Sequence, residues 1–124
     1  IHGITNEMVR DAPSFPEVYG GITVVIGGRR VVIYNAPFDM KILNQCRVRH
    51  DLPHIEPGFI ATQCAMLTYA QFHQDYDSRH RSYRWQSLGN ALMQCNIVTD
   101  NVLHSALADC RATLAIIQHM AQSK

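Results

Sequence analysis

The distribution of hydrophobic and polar residues divides the chain into short strands and amphipathic helices. The apolar run Val31–Tyr34 follows a glycine and two arginines and predicts a buried strand. Apolar residues then recur with helical spacing from Phe38 to about His50, which predicts a helix soon after that strand. The most regular helical pattern covers His104–Gln122, and its apolar face is predicted to comprise Leu107, Cys110, Leu114, Ile117 and Met120.

The first helix is predicted from its capping residues. Ser14 can cap a helix start, Pro16 suits the first turn, and Glu17 stands three residues after the serine, as in a capping box. The helix is expected to run to about Ile26. Before it, the chain is rich in turn-forming residues and predicts a connecting segment with one helical turn over Asn6–Arg10.

The remaining elements follow from shorter patterns. Phe59–Thr62 is predicted to form a second strand, and Cys64–Phe72 shows helical periodicity. The polar stretch His73–Tyr83 is expected to be an exposed loop, and Trp85–Asn96 a helix. Strands that alternate with helices are typical of an α/β domain, and 124 residues suit one domain over residues 1–124.

Composition narrows the class of protein. Hydrophobic residues make up 47% of the chain, as in a globular domain, and no apolar run approaches the roughly 20 residues of a membrane helix. The formal net charge is +1, so any nucleic-acid contact is expected to be local. A zinc site at Cys46 and His50 is disfavoured, because no second ligand pair follows. The cysteines predict buried thiols in a reducing, cytoplasmic protein: Cys46, Cys64, Cys95 and Cys110.

A candidate carboxylate follows the first predicted strand. Asp39 is expected in the first turn of a helix, directly after the strand ends at Asn35-Ala36-Pro37. This is a usual place for an active-site group in an open α/β sheet. The alternative is a carboxylate that only complements the helix dipole.

A second candidate pair opens the last predicted helix. His104 and Asp109 are separated by about 140° around an ideal helix, so they cannot both point the same way from it. His104 is therefore expected at or before the first turn, beside a carboxylate fixed on the helix. A general base near a metal site needs this arrangement. The alternative is a surface histidine at a helix start.

These segments together resemble a known family. Asn35–Asp39, with the sequence NAPFD, and His104–Asp109, HSALAD, resemble the second and third motifs of DnaQ-like DEDDh 3′–5′ exonucleases. The opening IHGIT, with Met8 and Ala12–Phe15, is similar to the segment joining the family's first three strands to its first helix. The resemblance is closest to DNA polymerase III epsilon-like enzymes. It implies an RNase H-like fold with a mixed sheet flanked by helices, its first strands lying upstream of Ile1.

The resemblance also implies the roles of individual residues. In the family, four carboxylates hold two divalent ions, Mg²⁺ or Mn²⁺, and a histidine activates the attacking water. Asp39 and Asp109 would be metal ligands and His104 the base, all three being catalytic. The family's Asp-x-Glu motif supplies the other two carboxylates and has no match here. We therefore expect the 124 residues alone to bind metal and degrade DNA poorly.

Substrate contacts are expected in three places. By resemblance, the opening segment lies beside the terminal nucleotide and comprises His2, Gly3, Ile4 and Thr5. By resemblance, Asn35 lies near the metal site, with a strand-ending asparagine as the alternative. Phe38 is a candidate substrate contact, but the sequence favours a place for it in the core. The stretch Arg79–Trp85 is rich in basic and aromatic residues, which predicts contacts with the phosphates and bases of a single strand. The alternative is an exposed loop whose Trp85 packs into the core. Its arginines are Arg79, Arg81 and Arg84.

The predicted function is hydrolysis of phosphodiester bonds at single-stranded or frayed DNA 3′ ends, in proofreading or repair. A polymerase or another replication or repair protein is the expected partner, and RNA stays open as a substrate because both nucleic acids share the phosphate chemistry. The alternative is a non-catalytic nucleic-acid-binding or adaptor module that retains the fold. An open sheet edge also allows a homodimer.

Overall fold

The computed structural model describes residues 3–55, 61–98 and 105–123. Within these ranges the strands form two small sheets, β1 with β2 and β3 with β4, and the larger mixed sheet stays a prediction. No helix in these ranges is long and apolar enough to cross a membrane. The elements are α1 Phe15–Ile26, β1 Arg30–Ile33, α2 Ala36–Arg49, β2 Ala61–Cys64, α3 Ala65–His73, β3 Tyr76–Asp77, β4 Ser82–Tyr83, α4 Leu88–Gln94 and α5 Ala106–Gln122.

The chain divides into two compact units. The N-terminal unit comprises residues 2–32 and 36–63 and contains α1 and α2. The C-terminal unit consists mainly of residues 64–124, together with residues 33–35, and contains α3, α4, α5 and the β3–β4 hairpin.

Helix α1 begins where its capping residues predict. The Glu17 carboxylate accepts hydrogen bonds from the backbone N–H and the hydroxyl of Ser14, at 2.7 and 2.6 Å. These two bonds hold the pKa of Glu17 below its ordinary value. Tyr19 lies buried on the same helix and donates a hydrogen bond to the carbonyl of Pro53, at 2.7 Å. The bond ties α1 to the loop after α2.

The core of the C-terminal unit forms around Tyr69 on α3 and Ile116 on α5. Both side chains are fully buried, with exposed fractions of 1% and 0%. The Tyr69 hydroxyl is satisfied, because it donates to Gln94 Oε1 at 3.1 Å and accepts from the Cys95 thiol at 3.5 Å. Burial raises the pKa of Tyr69 well above its ordinary value. The core cluster of this unit is Tyr69, Ala91, Leu92, Cys95, Ala112 and Ile116.

The predicted apolar face of α5 is correct only in its second half, where Ile117 and Met120 are half-buried and Met120 packs against the core. Leu107, Cys110 and Leu114 are exposed. The buried face consists of smaller side chains and one isoleucine, because α5 packs closely against α3 and α4. A buried threonine is tolerated there, since its hydroxyl donates to the carbonyl of Asp109 at 2.7 Å. This face comprises Ala108, Ala112, Thr113 and Ile116.

Three further predictions need correction. The stretch His73–Tyr83 is exposed for the most part but is not only a loop, since it contains the β3–β4 hairpin. Helix α4 is shorter than Trp85–Asn96, because the Ser87 hydroxyl accepts a hydrogen bond from the Asn90 N–H and caps the helix there. Of the four free cysteines only Cys95 is buried. The prediction of a buried thiol is therefore wrong for Cys46, Cys64 and Cys110. The predicted start of the second strand, Phe59, lies outside the described residues.

The buried face of α5 can be tested by two substitutions on this helix. We expect Ile116→Ala to lower the free energy of unfolding by about 2–5 kcal/mol, because it leaves a cavity in the core. Leu114→Ala is the matched control and is expected to change it by less than about 0.5 kcal/mol, since Leu114 is 55% exposed. Urea denaturation followed by circular dichroism measures both, and a larger loss for Leu114→Ala would contradict this packing.

Candidate functional site

A two-residue turn connects β1 to α2. Strand β1 ends at Ile33, and α2 begins at the buried residue Ala36. Asn35 closes the turn with a φ of 64°, in the left-handed region that asparagine tolerates better than most residues. The sharp strand-to-helix transition predicted from the sequence is confirmed.

The turn brings a carboxylate into the first turn of α2. Asp39 lies there, as the sequence predicts, and its side chain is exposed. The positive end of the helix dipole stabilises negative charge at this place. Phe38 precedes it with 60% of its side chain exposed, so its assignment to the core is wrong. An apolar ring and a carboxylate therefore stand next to each other at the start of α2.

A second carboxylate lies in the first turn of α5. The Ser105 hydroxyl accepts a hydrogen bond from the Ala108 N–H at 3.2 Å and caps the helix. Asp109 is half-buried one turn after the cap, and its N–H donates to the Ser105 carbonyl at 3.0 Å. Asp109 is thus held on a regular helix, as predicted. His104 lies outside the described residues.

The opening segment is exposed. Gly3 has a φ of 66°, which favours glycine, and Ile4 and Thr5 are both exposed. The Thr5 hydroxyl accepts a hydrogen bond from the Met8 N–H at 3.3 Å and begins the turn that follows. His2 lies outside the described residues. Exposure leaves this segment accessible to a ligand.

The two carboxylates are oxygen ligands of the kind that Mg²⁺ and Mn²⁺ prefer. Asp39 belongs to the N-terminal unit and Asp109 to the C-terminal unit. In the part of the chain that the structure describes, no three side chains of His, Cys, Asp or Glu form a group that could hold a metal ion. The two carboxylates are therefore suitable ligands for a divalent ion. The described residues alone do not form a complete site for one. His50 stacks on Phe15, with ring centroids 6.0 Å apart.

The β3–β4 hairpin carries the predicted arginines. Its strands pair Tyr76 with Tyr83 and Asp77 with Ser82, and residues 78–81 form the turn. Asp77 Oδ1 accepts hydrogen bonds from the Arg79 and His80 N–H groups, at 2.9 and 3.3 Å. The carboxylate of one residue thereby orders the whole turn.

The other carboxylate oxygen of Asp77 contacts two basic side chains. Its Oδ2 lies 2.9 Å from His80 Nδ1 and 3.3 Å from Arg84 Nε. The hydrogen bond to His80 and the further bonds to the turn and to Arg84 hold the pKa of Asp77 well below its ordinary value of 3.8. Sequence reasoning missed this residue, although an aspartate before a polar turn is a typical turn signal.

A surface cleft opens beside this hairpin. It has a volume of about 410 Å³. Trp85 lines it with 64% of its side chain exposed, so the alternative that Trp85 packs into the core is wrong. The exposed arginines Arg79 and Arg81 stand on the adjoining turn. The residues lining the cleft are Asp77, His80, Ser82, Tyr83, Arg84 and Trp85.

Comparison with known proteins places this α/β chain in one class, the exonucleases. The family model described as Exonuclease, RNase_T, matches residues 1–117. The chain therefore belongs to this exonuclease family, whose domain is part of the RNase H-like superfamily. The predicted resemblance to an exonuclease family is confirmed.

Individual relatives agree with the family. An uncharacterized exonuclease of Escherichia phage 186 is 34% identical over 127 residues, which cover 98% of this chain and 64% of that protein. The DNA polymerase III subunit epsilon of Haemophilus influenzae is 43% identical over 44 residues, covering 36% of this chain and 17% of that protein. The epsilon subunit of Rickettsia felis is 41% identical over 44 residues, covering 36% and 19%. The chain thus spans less than two thirds of each relative, and no solved structure matches it.

The role of Asn35 in the β1–α2 turn can be tested by substitution. We expect Asn35→Gly to leave the free energy of unfolding nearly unchanged, because glycine enters the left-handed region without strain. Asn35→Val should lower it by about 1–2 kcal/mol, since its Cβ clashes in this conformation. Urea denaturation checks both values, and equal losses would show that the side chain, not the backbone conformation, matters.

The Asp77 interactions predict a pH dependence for the hairpin turn. The pKa is lowered in the folded state, so the stabilisation is complete above the ordinary value of 3.8 and is lost only as the pH falls through the lower folded value. NMR shifts of the Arg79 and His80 amides should therefore change below pH 3.8. Asp77→Asn keeps an acceptor oxygen and should abolish this titration. A midpoint above 3.8 would contradict the geometry.

Proposed function

We propose that this chain is part of a 3′–5′ exonuclease that hydrolyses phosphodiester bonds at DNA 3′ ends. One observation carries the proposal: the two motif carboxylates, Asp39 and Asp109, each stand in the first turn of a helix in a chain of the exonuclease family. Both carboxylates lie on backbone that is fixed locally, Asp39 by the β1–α2 turn and Asp109 by the cap of α5. A nuclease that coordinates metal needs such fixed ligands.

In this proposal, Asp39 and Asp109 hold divalent ions, Mg²⁺ or Mn²⁺, together with the two carboxylates of an Asp-x-Glu segment. The 124 residues contain no Asp-x-Glu, so the complete site needs a longer chain. When bound, two such ions lower the pKa of a water and stabilise the attacking and leaving oxygens. The 124-residue chain alone supplies half of the carboxylates and is inactive or weakly active.

His104 acts as the general base in this proposal. An imidazole nitrogen accepts the proton of the attacking water, since histidine titrates near neutral pH. Phe38 contributes an exposed apolar face next to Asp39, which suits contact with the terminal nucleotide. Asn35 and the opening segment, His2 and Gly3–Thr5, place that nucleotide by polar and backbone contacts.

The relatives suggest a setting for the reaction. Two of them are epsilon subunits of DNA polymerase III, and one is a phage exonuclease. We propose on this basis that the whole protein works in the cytoplasm beside a polymerase or repair protein, in proofreading or repair. RNA is a second candidate substrate, because it presents the same phosphodiester bond.

A binding or adaptor module is the second candidate function. Titration with Mn²⁺ separates the two candidates. The exonuclease binds Mn²⁺ through Asp39 and Asp109 once the chain is extended upstream through an Asp-x-Glu strand, whereas the adaptor does not.

The catalytic assignment predicts how substitutions act in the extended protein. Asp39→Asn and Asp109→Asn should each lower the release of nucleotides from single-stranded DNA at least about 100-fold, because each replaces a charged metal ligand with a neutral amide. His104→Ala should lower it by about 10²–10⁴-fold. The assay uses labelled DNA with Mn²⁺ or Mg²⁺.

Asp51→Asn is the matched control for these variants. Asp51 is exposed and has a φ of 50°, which asparagine tolerates, so the variant should keep full activity. Two results would contradict the assignment: full activity in both Asp39→Asn and Asp109→Asn, or robust metal-dependent degradation by the 124-residue chain.

A further inference from the structure

We propose that the β3–β4 hairpin and its cleft bind a single-stranded segment of nucleic acid, with Trp85 stacking on a base while Arg79 and Arg81 contact phosphates. This inference rests on the proposed exonuclease function and assigns a strand-binding surface to it. The surface lies within the C-terminal unit and requires no contact with the other unit.

The hairpin turn is held in place before any ligand binds. Asp77 accepts hydrogen bonds from two turn N–H groups through Oδ1 and contacts His80 and Arg84 through Oδ2. The Arg84 N–H also donates to the Asp75 carbonyl at 2.8 Å and extends the pairing of the strands. A turn fixed in this way loses less conformational entropy when a ligand binds.

Two arginines are available to an anion. Within the described residues, no side-chain hydrogen bond or ion pair is found for the guanidinium groups of Arg79 and Arg81, and both side chains are exposed. The carboxylate of Asp77 is instead engaged by His80 and Arg84. The turn therefore presents positive charge that its own aspartate does not neutralise.

The conformation of Arg81 adds to this argument. Its φ is 52°, in the left-handed region where glycine or asparagine is less strained. Arginine has no advantage over these residues for forming the turn. A backbone cost at an exposed position is consistent with a use for the side chain.

Aromatic surface lies beside the arginines. Trp85 is the only tryptophan of the chain, and most of its side chain is exposed in the cleft. Tyr76 and Tyr83 pair edge-to-face across the strands, with ring centroids 5.6 Å apart, and support the side of the hairpin. An exposed indole can stack on a base while the neighbouring guanidinium groups contact the phosphates on either side of it.

A single strand is the occupant that this chemistry favours. The arginines complement a phosphate backbone in charge, and the indole needs an unpaired base with an accessible face. In a duplex the bases are stacked on one another and do not offer that face. The sole tryptophan then reports binding directly, because a stacked base quenches its fluorescence.

The experiment titrates the 124-residue chain with a thymidine oligonucleotide in EDTA and follows Trp85 fluorescence and anisotropy of a labelled strand. We expect quenching, with an affinity that falls as salt rises. An abasic oligonucleotide of the same length retains the phosphates, so it should bind more weakly and leave the fluorescence unquenched. EDTA keeps this test independent of hydrolysis.

Substitutions separate the two kinds of contact. Trp85→Leu should weaken binding roughly tenfold, while Trp85→Phe retains an aromatic ring and most of the affinity. Arg79→Ala and Arg81→Asn should each reduce the slope of log K against log salt by about 0.7. Arg81→Asn also suits the left-handed turn, so it should not destabilise the hairpin. Arg49→Ala is the control, because it removes one positive charge from an exposed position on α2. We expect it to leave the affinity and the salt slope unchanged.

The outcomes distinguish this inference from the proposed function. Absence of quenching, an unchanged affinity in Trp85→Leu, or an equal loss in Arg49→Ala would each overturn the hairpin as the binding surface. Those results would not contradict the proposed exonuclease activity of the extended protein, because that activity depends on Asp39 and Asp109. Conversely, an inactive extended protein that still shows quenching would reject the exonuclease but not the strand-binding surface.

Discussion

Close packing around Tyr69 and Ile116 is the interaction on which the C-terminal unit depends. The two large side chains are fully buried, and alanines on the neighbouring helices let the backbones approach them. Ala91 and Ala112 are both 0% exposed, so larger side chains there would overpack the core. The buried Tyr69 hydroxyl is hydrogen-bonded, which removes the cost of burying a polar group. This packing fixes α5, and α5 carries Asp109.

The candidate functional groups lie at the ends of elements, where local backbone geometry places them. Asn35 uses a left-handed conformation to turn β1 into α2 within two residues, and Asp39 follows in the first turn. Ser105 caps α5 ahead of Asp109. At the hairpin, the carboxylate of Asp77 orders a turn that presents Arg79 and Arg81. Exposed groups are thus held by short-range hydrogen bonds, while the core holds the helices.

The extent to which the sequence predicts this structure depends on the range of the forces involved. Helix α1 is predicted well, because Ser14 and Glu17 determine its start locally. The β1–α2 turn is also predicted, since Asn35 and Pro37 act within a few residues. These local signals place Asp39 and Asp109 on their helices but cannot show their distance from each other, which is set by contacts far apart in sequence.

Burial is predicted less well, because it depends on partners that periodicity cannot identify. The apolar pattern of α5 ranks Leu107 and Leu114 above Ala112, but the neighbouring helices leave room for the smaller side chain. Phe38 and Trp85 are large and apolar, yet both are exposed. The hairpin is missed since its two-residue strands depend on a side chain that bonds to the turn backbone.

Phe38 and Trp85 expose their aromatic rings, and Asp39 and Asp109 each stand in the first turn of a helix. We propose that this chain belongs to an enzyme that shortens DNA from the 3′ end. The most direct test follows a single strand labelled at its 5′ end during digestion by the upstream-extended protein with Mg²⁺. We predict a ladder of labelled products that shortens stepwise from the 3′ end. Immediate release of the labelled 5′ nucleotide, or internal cleavage without a ladder, would contradict the account.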